Sequence, residues 1–358
     1  MKEKIITKKI LKWYDLNKRS LPWRKQLSSK KKQYYTLVSE FMLQQTQVKT
    51  VIPYYEKWMV RYPTVEILAD SNLDDILKSW EGLGYYKRAH NIKKSSEIIQ
   101  YNLGGSFPKH GELKKLPGIG DYTYSAIMSI AFDEKVPAID GNVKRVSSRI
   151  FEEKFSTSSE IKSLSNELKK YMPNNRPGCF NQAIMDLGRE ICKPQNPECC
   201  KCPIHNNCKA LINESVNQYP VKEERKKIPI MDVVVGFIFN DDMEFLITKR
   251  PQNKMLGGLW ELPGGKKEEK ETFKTCLRRE IKEELNINIE VQKKIGTVKH
   301  SYSHFKIRLH GFMCKAKSGK LKIQAADDYS WIKLNDIENF SFPKATHKIF
   351  EKINDKII

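Results

Sequence analysis

The sequence contains no apolar run that approaches the ~20 residues needed to span a membrane. Its first residues, MKEKIITKKILKWYDLNKRS, also lack the apolar stretch of a signal peptide. We therefore expect a cytosolic protein without a membrane partner. Internal repeats and low-complexity segments are missing too, which argues against a repeat architecture. With 358 residues, the chain is long enough for two or three domains with cores of their own.

Acidic residues are few relative to basic ones. The chain has 64 Lys and Arg against 43 Asp and Glu, a formal net charge of +21. From Val221 onward there are 28 basic and 20 acidic residues, and before it there are 36 and 23. Because both parts are basic, a polyanion such as DNA or RNA is the expected partner. The alternative is a generally basic surface that binds no nucleic acid.

Cysteine is used unevenly along the chain. Cys192, Cys199, Cys202 and Cys208 follow one another with six, two and five residues between them, and Cys200 lies among them. In a cytosolic chain such a cluster indicates a metal site rather than disulfides. Four soft thiolate ligands suit either zinc or an iron–sulfur cluster, and the ligand type alone does not decide between the two.

The hydrophobic pattern changes once along the chain. Up to about residue 215 apolar residues recur at helical spacing, as in TVIPYYEKWMVRY and LDDILKSWEGLGYYKRAHNIKKSSEIIQYNL. A polar stretch over residues 213–229 is typical of a linker. Beyond it, MDVVVGFIFN and EFLITKR predict two strands of a hairpin joined through DDM. ETFKTCLRREIKEELN predicts a helix and IGTVKHSYSHFKIRLHGFMCKAK a return to strand, so this part is α+β.

The stretch LKKLPGIGDYTYSAIMSIAF, residues 113–132, predicts one helix that ends near Leu116 and a second that follows a tight turn. Backbone N–H groups at Gly118 and Gly120 can face a phosphate there, helped by the start of the new helix. The alternative is an ordinary corner between two helices. LPGIG between two helices resembles the helix-hairpin-helix of DNA-repair proteins.

Two acidic residues are singled out by their surroundings. Glu40 lies in the apolar run LVSEFMLQQTQV, where it could simply point to solvent from an amphipathic helix. Asp140, in VPAIDGNVKRVSSRIF, precedes a basic helix and could simply cap it. Alternatively, the two carboxylates together could form a site that breaks a glycosidic bond. Their spacing does not decide, because they are far apart in sequence.

Several motifs occur here in the order seen in one enzyme family: LPWR, VSEFMLQQTQV, WEGLGYYKRA, LPGIGDYT, AIDGNVKRV, FNQAIMDLG and C-x6-C-x2-C-x5-C. Over about residues 10–210 the chain resembles the MutY-type adenine DNA glycosylases of the endonuclease III superfamily, and a second match covers the C-terminal part. The resemblance implies an all-α helix-hairpin-helix glycosylase fold with an iron–sulfur cluster, followed by an α+β Nudix-like domain.

The expected domain boundaries follow from the same resemblance. We expect a helical glycosylase region at 1–215, with a six-helix barrel at about 22–132 and a cluster subdomain from 1–21 plus 133–215. A linker at 216–230 and a Nudix-like domain at 231–358 complete the prediction.

The resemblance also implies a catalytic chemistry. Glu40 matches the family's general acid, which must hold its proton near neutral pH to protonate adenine N7. Desolvation would raise its pKa from the ~4.3 of an exposed glutamate. Asp140 matches the residue that stays ionised and stabilises an oxocarbenium-like sugar, and Asn142 matches one that orients the polar network or water beside it.

Tyr122 indicates the reaction subtype. Bifunctional relatives carry a lysine at this position, which forms a Schiff base and permits strand cleavage. A tyrosine forms no such imine, so the resemblance implies a monofunctional glycosylase that leaves an abasic site. An endonuclease III-like lyase is the runner-up.

Adenine must leave the base stack to reach such a pocket, and matching positions imply the contacts that receive it. The pocket is expected to be lined by Leu21, Trp23, Arg24 and Gln182. The duplex opposite the flipped base is expected to contact Gln44, Gln45, Thr46 and Tyr85. Trp23 could instead pack in a core, and Tyr86 is expected to pack internally. The family's cluster is 4Fe–4S, so the resemblance makes Cys192, Cys199, Cys202 and Cys208 its ligands and leaves Cys200 as a spare thiol.

The stretch GLWELPGGKKEEKETFKTCLRREIKEELNI resembles a Nudix box, with Asn286 where the box has Gly. In Nudix hydrolases the helix glutamates bind Mg²⁺ for pyrophosphate cleavage. Here we expect recognition and scaffolding, with residual metal-dependent hydrolysis as the alternative. The charged residues of the box that are in place are Glu271, Arg279, Glu280, Glu283 and Glu284.

The stretch HSYSH, residues 300–304, matches the family's F-S-H loop, with Tyr302 in place of the Phe. The resemblance implies that Ser303 forms a hydrogen bond with the face that distinguishes 8-oxoguanine from guanine, and that His304 aids the discrimination. The alternative is an ordinary hairpin with a polar tip.

Together these patterns predict a monomeric, nucleoid-associated enzyme that acts on double-stranded DNA containing adenine opposite 8-oxoguanine or guanine. Two hypotheses of other classes stand beside it. One is a nucleotide-pool hydrolase with a DNA-binding appendage, which predicts Mg²⁺-dependent pyrophosphatase activity. The other is a non-enzymatic binder of DNA lesions, and the paired acids argue against it.

Overall fold

The computed structural model describes residues 2–25, 28–108, 110–221 and 228–357. The chain divides into two compact units. Unit 1 comprises Met1–Asp70 and Asn91–Glu224, and unit 2 comprises Ser71–His90 and Arg225–Ile358. Part of the predicted linker, residues 222–227, lies outside the described residues, and the predicted domain boundaries stay a prediction. In the described chain, no helix is both long and apolar enough to cross a membrane.

The chain up to residue 221 is helical, as its hydrophobic period predicts. The helix expected to end near Leu116 is instead a short 3₁₀ helix, His110–Lys115. Gly111 lies within this stretch and Pro117 follows it, and both residues disfavour an α-helix here. The α-helices are α1 (Lys2–Asn17), α2 (Ser29–Leu43), α3 (Val48–Arg61), α4 (Val65–Asp70), α5 (Leu73–Trp80), α6 (Lys87–Glu97), α7 (Asp121–Ala131), α8 (Gly141–Phe151), α9 (Ser158–Tyr171), α10 (Pro177–Glu190) and α11 (Lys209–Ile212).

One core of unit 1 supports the helices that later prove to carry the site. Ile10 of α1, Val146 of α8 and Leu187 of α10 are at most 1% exposed and belong to one apolar cluster. Burying such side chains stabilises the fold by about 1.5–3 kcal/mol each. The polar residues on the opposite faces of α8 and α10 are thereby fixed in position.

The turn before α7 requires glycine at position 118. Its φ is +82°, a left-handed conformation that side chains rarely adopt. A Cβ there would lie 2.7 Å from Asn91 Nδ2 and 2.8 Å from Phe41 Cε1. The predicted hairpin turn therefore depends on Gly118 for two independent reasons, backbone conformation and lack of space.

We expect Gly118→Ala to lower the free energy of unfolding by about 2–4 kcal/mol, because backbone strain and overpacking add. Gly104→Ala is the matched control, since Gly104 has a φ of +59° but open space around its Cβ position. It should cost only about 1 kcal/mol, from backbone strain alone. Urea unfolding of both variants measures the difference, and equal costs would show that crowding contributes nothing.

Unit 2 contains one mixed sheet of seven strands. The strands are β1 (Ile230–Phe239), β2 (Phe245–Lys249), β3 (Trp260–Glu261), β4 (Gly264–Lys266), β5 (Asn288–Ser301), β6 (Lys306–Ser318) and β7 (Asp328–Ile332). Their order is β3-β2-β1-β6-β5, with β4 also paired to β1 and β7 to β2. The predicted hairpin of β1 and β2 is confirmed, with Phe239 opposite Phe245, and β1 runs parallel to β6.

Two helices cover the two faces of this sheet: α12 (Phe273–Leu285) and α13 (Lys344–Ile357). Along β1, side chains alternate between the faces, as in any strand. Val234 clusters with Leu277 of α12, and Val235 clusters with Ile349 of α13. The predicted order, a helical region followed by an α+β domain, is confirmed.

Candidate active site

A cleft of about 1080 Å³ in unit 1 brings together most of the residues predicted to act on DNA. They come from the turn after α1, from α2, from α7, from the start of α8 and from α10. The predicted residues in its walls are Leu21, Trp23, Arg24, Glu40, Thr46, Tyr122, Asp140, Asn142 and Gln182. Packing of helices distant in sequence therefore produces one polar site.

Glu40 is the buried acid of this cleft. Glu40 is only 5% exposed, so the alternative that its side chain points to solvent is wrong. Burial raises the pKa of Glu40 to about 7, with the Tyr122 hydroxyl acting to lower it and the charge of Asp140 acting to raise it. Among the described residues, Glu40 Oε2 has no hydrogen-bond partner. A carboxyl group in this state holds a proton near neutral pH and can donate it to a bound group.

Asp140 both caps α8 and faces the cleft. Its Oδ1 accepts a hydrogen bond from the backbone N–H of Val143 at 2.7 Å, and its Oδ2 accepts one from Asn142 Nδ2 at 2.8 Å. The capping alternative is therefore correct, and it does not exclude a catalytic role. The carboxylate thus receives two hydrogen bonds at the N-terminus of α8.

A buried arginine connects this pair to the cysteine-rich segment. Arg145 Nη2 donates to Asn142 Oδ1 at 2.9 Å and to the carbonyl oxygen of Gly188 at 2.7 Å. Its Nε donates to the carbonyl oxygen of Cys192 at 2.8 Å. A continuous chain of hydrogen bonds thus runs from the Asp140 carboxylate to the backbone of Cys192.

Asp186 is a cleft residue that sequence reasoning missed. It is 2% exposed and accepts hydrogen bonds from Arg24 Nη1 and Nη2, at 2.6 and 3.1 Å. Arg19 Nη2 lies 3.3 Å from the same carboxylate. Asp186 follows Gln182 by four residues on α10, which places both on one helix face. That spacing is the signal by which the sequence could have indicated it.

Tyrosine side chains next to the cleft support three of the predicted pocket residues. Tyr14 donates its hydroxyl to Gln182 Oε1 at 3.3 Å, and burial raises the pKa of Tyr14 to about 12. The Arg24 guanidinium lies 5.7 Å from the centre of the Tyr14 ring. Trp23 contacts Tyr55 edge to face at 5.2 Å, so it packs against the interior as well as lining the cleft. Arg24 and Gln182 therefore present fixed polar groups to the cleft.

Four predicted DNA contacts of unit 1 lie outside the cleft walls. Gln44 Nε2 donates to the Gly118 carbonyl at 3.2 Å and to Thr123 Oγ1 at 3.1 Å, which attaches the end of α2 to the hairpin. Gln45 is exposed with a φ of +58°, a strained conformation of the kind found at functional sites. Gly118 and Gly120 are both exposed at the start of α7.

The four cysteines predicted as ligands lie near one another. Burial, together with the charges of Cys192, Cys199 and Cys208, raises the pKa of Cys202 to about 12. The Arg149 side chain approaches Cys192 Sγ at 3.3 Å, and Cys208 Sγ donates to the Arg149 carbonyl at 3.3 Å.

This all-sulfur donor set suits either zinc or an iron–sulfur cluster. In the part of the chain that the structure describes, no three His, Cys, Asp or Glu side chains form a group that could hold a metal ion. A four-iron cluster binds each thiolate through a different iron, so its ligands stand farther apart than those around one ion.

In unit 2 the loop predicted for lesion recognition joins β5 to β6. Ser303 Oγ donates to the Tyr85 hydroxyl at 2.9 Å, which brings two predicted DNA contacts together. Tyr85 is exposed with a φ of +50°, and His304 is also exposed. The Tyr302 ring packs 4.9 Å from Phe305.

Two glutamates of the Nudix-like box line a pocket in unit 2. Glu280 and Glu284 line a pocket of about 340 Å³, together with Glu261 and Arg250, which sequence reasoning missed. Burial raises the pKa of Glu284 to about 7, and the charge of Glu261 adds to this.

The chain's own arginines pair with most of these acids. Arg250 forms an ion pair with Glu261 in that pocket. Arg279 pairs with Glu271 at 2.5 Å, with Glu280 at 3.0 Å and with the exposed Glu283 at 3.0 Å. The acids are therefore largely compensated without a metal ion.

Comparisons with known proteins agree with this division of the chain. Residues 38–171 match the HhH-GPD superfamily base excision DNA repair protein model, and residues 234–352 match the NUDIX domain model. The chain is 35% identical over 353 residues to the adenine DNA glycosylase of Buchnera aphidicola subsp. Schizaphis graminum (strain Sg). That alignment covers 97% of this chain and 98% of the relative. The chain belongs to the adenine DNA glycosylase family.

A second relative carries the same family name, and a solved structure of another DNA glycosylase is similar to part of the chain. The adenine DNA glycosylase of Buchnera aphidicola subsp. Acyrthosiphon pisum (strain APS) is 32% identical over 361 residues, with 100% of both chains covered. The structure of a thermostable thymine-DNA glycosylase has a TM-score of 0.53 and 28% identity, and covers 59% of this chain and 97% of its own. Membership in the adenine DNA glycosylase family confirms the predicted helix-hairpin-helix and Nudix-like fold and the predicted enzyme class, a hydrolase of N-glycosidic bonds.

Proposed function

We propose that the chain removes adenine from duplex DNA in which adenine lies opposite 8-oxoguanine or guanine, and that it leaves an abasic site. One observation carries this proposal: Glu40, with a pKa of about 7, shares a cleft with the carboxylate of Asp140. A protonated acid and an ionised one are the pair that breaking a glycosidic bond requires. The basic charge of both parts of the chain supports DNA as the partner.

Glu40 supplies the proton. Neutral adenine is a poor leaving group, and protonation at N7 makes it a better one. The acid must be within hydrogen-bond reach of N7, and Oε2 of Glu40 is free of partners among the described residues. As the bond between the sugar and N9 breaks, its electron pair moves into the protonated base.

Asp140 stabilises the sugar that this step leaves behind. The sugar develops oxocarbenium character, and a fixed carboxylate nearby lowers the energy of that cation. Asn142 holds the carboxylate by a hydrogen bond at 2.8 Å and in turn accepts one from Arg145. Water then adds to the sugar, and the product is an abasic site.

Arg24 and Gln182 are proposed to contact the flipped adenine. Asp186 fixes the Arg24 guanidinium in place, so its remaining donor capacity has a defined direction. Gln182 carries an amide that can both donate to and accept from the edge of a base. Gln45 and Tyr85, both exposed and strained, are proposed to enter the duplex where the base has left, and Ser303 to contact 8-oxoguanine.

The direct test uses duplex DNA with one adenine opposite 8-oxoguanine. Free adenine and strand breaks are measured before and after hot alkali. We expect adenine release, with breaks only after alkali, because Tyr122 offers no amine for a Schiff base. Breaks without alkali would favour the lyase, and no adenine release from a folded enzyme would overturn the proposal.

Tyr122→Lys should convert the monofunctional glycosylase into an enzyme that forms a Schiff base with DNA. Tyr122 is held beside Glu40 and Asp140, and burial raises its pKa well above the ordinary value. The same burial should keep a lysine amine neutral and nucleophilic. We expect Tyr122→Lys to form a covalent complex with DNA that borohydride traps, whereas Tyr122→Phe, the matched control, should form none. Absence of the complex in active Tyr122→Lys would place position 122 out of reach of the sugar.

The four cysteines Cys192, Cys199, Cys202 and Cys208 are proposed to hold a 4Fe–4S cluster. Their all-sulfur donor set and mutual proximity support this. When bound, the cluster would fix the basic segment that contains Lys193 and Lys201 as a surface for the DNA backbone, without taking part in bond cleavage.

The Nudix-like domain is proposed to recognise the lesion strand and not to hydrolyse nucleotides. The pairing of its acids with Arg250 and Arg279 supports this role, because a metal ion would have to compete with both arginines. The enzyme is further proposed to act as a monomer at the nucleoid.

A further inference from the structure

Residues 71–90 belong to the same compact unit as the Nudix-like domain. They comprise α5, the loop over residues 81–86 and the start of α6. This loop, called the wedge loop below, carries Tyr85. The position of Tyr85 therefore depends on how residues 71–90 are attached to the rest of unit 2, in particular to the segment 340–347.

Glu81 makes most of that attachment. Its Oε1 accepts the backbone N–H of Phe342 at 2.8 Å and lies 2.8 Å from His347 Nε2. Its Oε2 accepts Lys78 Nζ at 2.6 Å, and the same ammonium donates to the Phe340 carbonyl at 2.9 Å. Although burial acts to raise the pKa of Glu81, these hydrogen bonds hold it below its ordinary value. One carboxylate thus joins the start of the wedge loop directly to two residues of the segment 340–347, and to a third, Phe340, through Lys78.

The opposite side of the wedge loop is held by Arg88. This arginine is 5% exposed, and its Nη2 donates to the carbonyls of Leu83 and Gly84 at 3.3 and 2.8 Å. Its guanidinium lies 5.4 Å from the centre of the Tyr85 ring. Tyr86, buried as predicted, donates its hydroxyl to the Phe342 carbonyl at 3.4 Å. The backbone of the loop is therefore fixed internally, and Glu81 and Tyr86 both attach it to Phe342.

The segment that receives Glu81 is continuous with the core below the recognition loop. Phe342 and Ile349 are fully buried in one cluster with Val298 of β5 and Ile307 of β6. These two strands carry Ser303 between them, and Ser303 donates to the Tyr85 hydroxyl at 2.9 Å. The wedge loop is thus attached to the same framework at three places, by Glu81, Tyr85 and Tyr86.

We propose that Glu81 is a positioning residue for lesion selectivity. It holds the wedge loop so that Tyr85 and Ser303 act on the lesion strand as one pair. Glu81 touches neither adenine nor the sugar, so its loss should affect selection of the mispair and not bond cleavage. This inference rests on the proposed function.

The test measures single-turnover adenine release by the full-length enzyme from A:8-oxoG and A:G duplexes. We expect Glu81→Ala to lower the ratio of the two rate constants about tenfold, because it removes hydrogen bonds to a charged group. His347→Asn, which removes one of those bonds, should lower it about threefold. Asp74→Ala is the matched control, since it breaks an exposed ion pair with Lys249 in the same unit, at 2.7 Å. It should leave the ratio unchanged.

A double-mutant cycle separates positioning from general damage. If Glu81 acts through the pair of Tyr85 and Ser303, Glu81→Ala should have little further effect on the ratio in a Ser303→Ala background. The ratio is taken within each protein sample, so a loss of folded enzyme cancels. An unchanged ratio in both Glu81→Ala and His347→Asn would overturn the inference, as would an equal fall of both rates. A wild-type enzyme that releases no adenine would instead refute the proposed function, and one that releases it equally fast from both duplexes would overturn this inference.

Discussion

Glu40→Gln is expected to lower the rate of adenine release by about 10³-fold, because an amide cannot donate a proton to N7. In the wild type, the rate should fall about tenfold per pH unit above pH 7, where the acid form is lost. Single-turnover assays over a pH series measure both effects. Glu112→Gln, at an exposed position outside the cleft, is the matched control and should keep the wild-type rate. A pH-independent wild-type rate would exclude Glu40 as the proton donor.

The same substitution should stabilise the fold at alkaline pH. The folded pKa of Glu40 is raised from 4.5 to about 7, so the folded state binds more protons than the unfolded one between these values. Stability is therefore full below pH 4.5, falls as pH rises to about 7, and then stays lower by about 3 kcal/mol. Glu40→Gln removes this loss. Urea unfolding should show that the free energy of unfolding of Glu40→Gln, relative to the wild type, rises by up to about 3 kcal/mol between pH 4 and pH 8.

Asp140→Asn is expected to lower adenine release by about 10²–10³-fold, because the charge that stabilises the sugar cation is lost. Asparagine still caps a helix, so the free energy of unfolding should change by less than about 1 kcal/mol. Asp140→Ala should lose the cap as well, at a cost of about 1 kcal/mol. Comparing the two in rate and in urea unfolding separates the roles. A rate for Asp140→Asn near the wild type would leave Asp140 as a cap alone.

The sequence predicted residues whose signal is local. Glu40 was singled out by its apolar neighbours and Asp140 by its place before a helix, and the family resemblance implied their roles. Gly118 could be recognised from the turn that it makes. Each of these properties is set by a few adjacent residues, and the structure places them accordingly.

The residues that were missed depend on partners distant in sequence. The pair of Arg24 and Asp186 spans 162 positions, and that of Glu81 and Phe342 spans 261. No local pattern predicts which charged side chains meet when helices pack, because the packing of apolar faces decides it. The type of the helix before Gly118 was also missed, since a single period fits both a 3₁₀ and an α-helix over six residues.

The bond between Glu81 and Phe342 also sets an order of events during synthesis. Phe342 leaves the ribosome 261 residues after Glu81, which at 5–20 residues per second takes roughly 13–50 s. Every residue of the catalytic cleft named above has been translated well before that. A nascent chain can therefore assemble its catalytic groups while the wedge loop is still unattached. A chain that stalls in this interval would hold the proposed catalytic residues without the attached wedge loop.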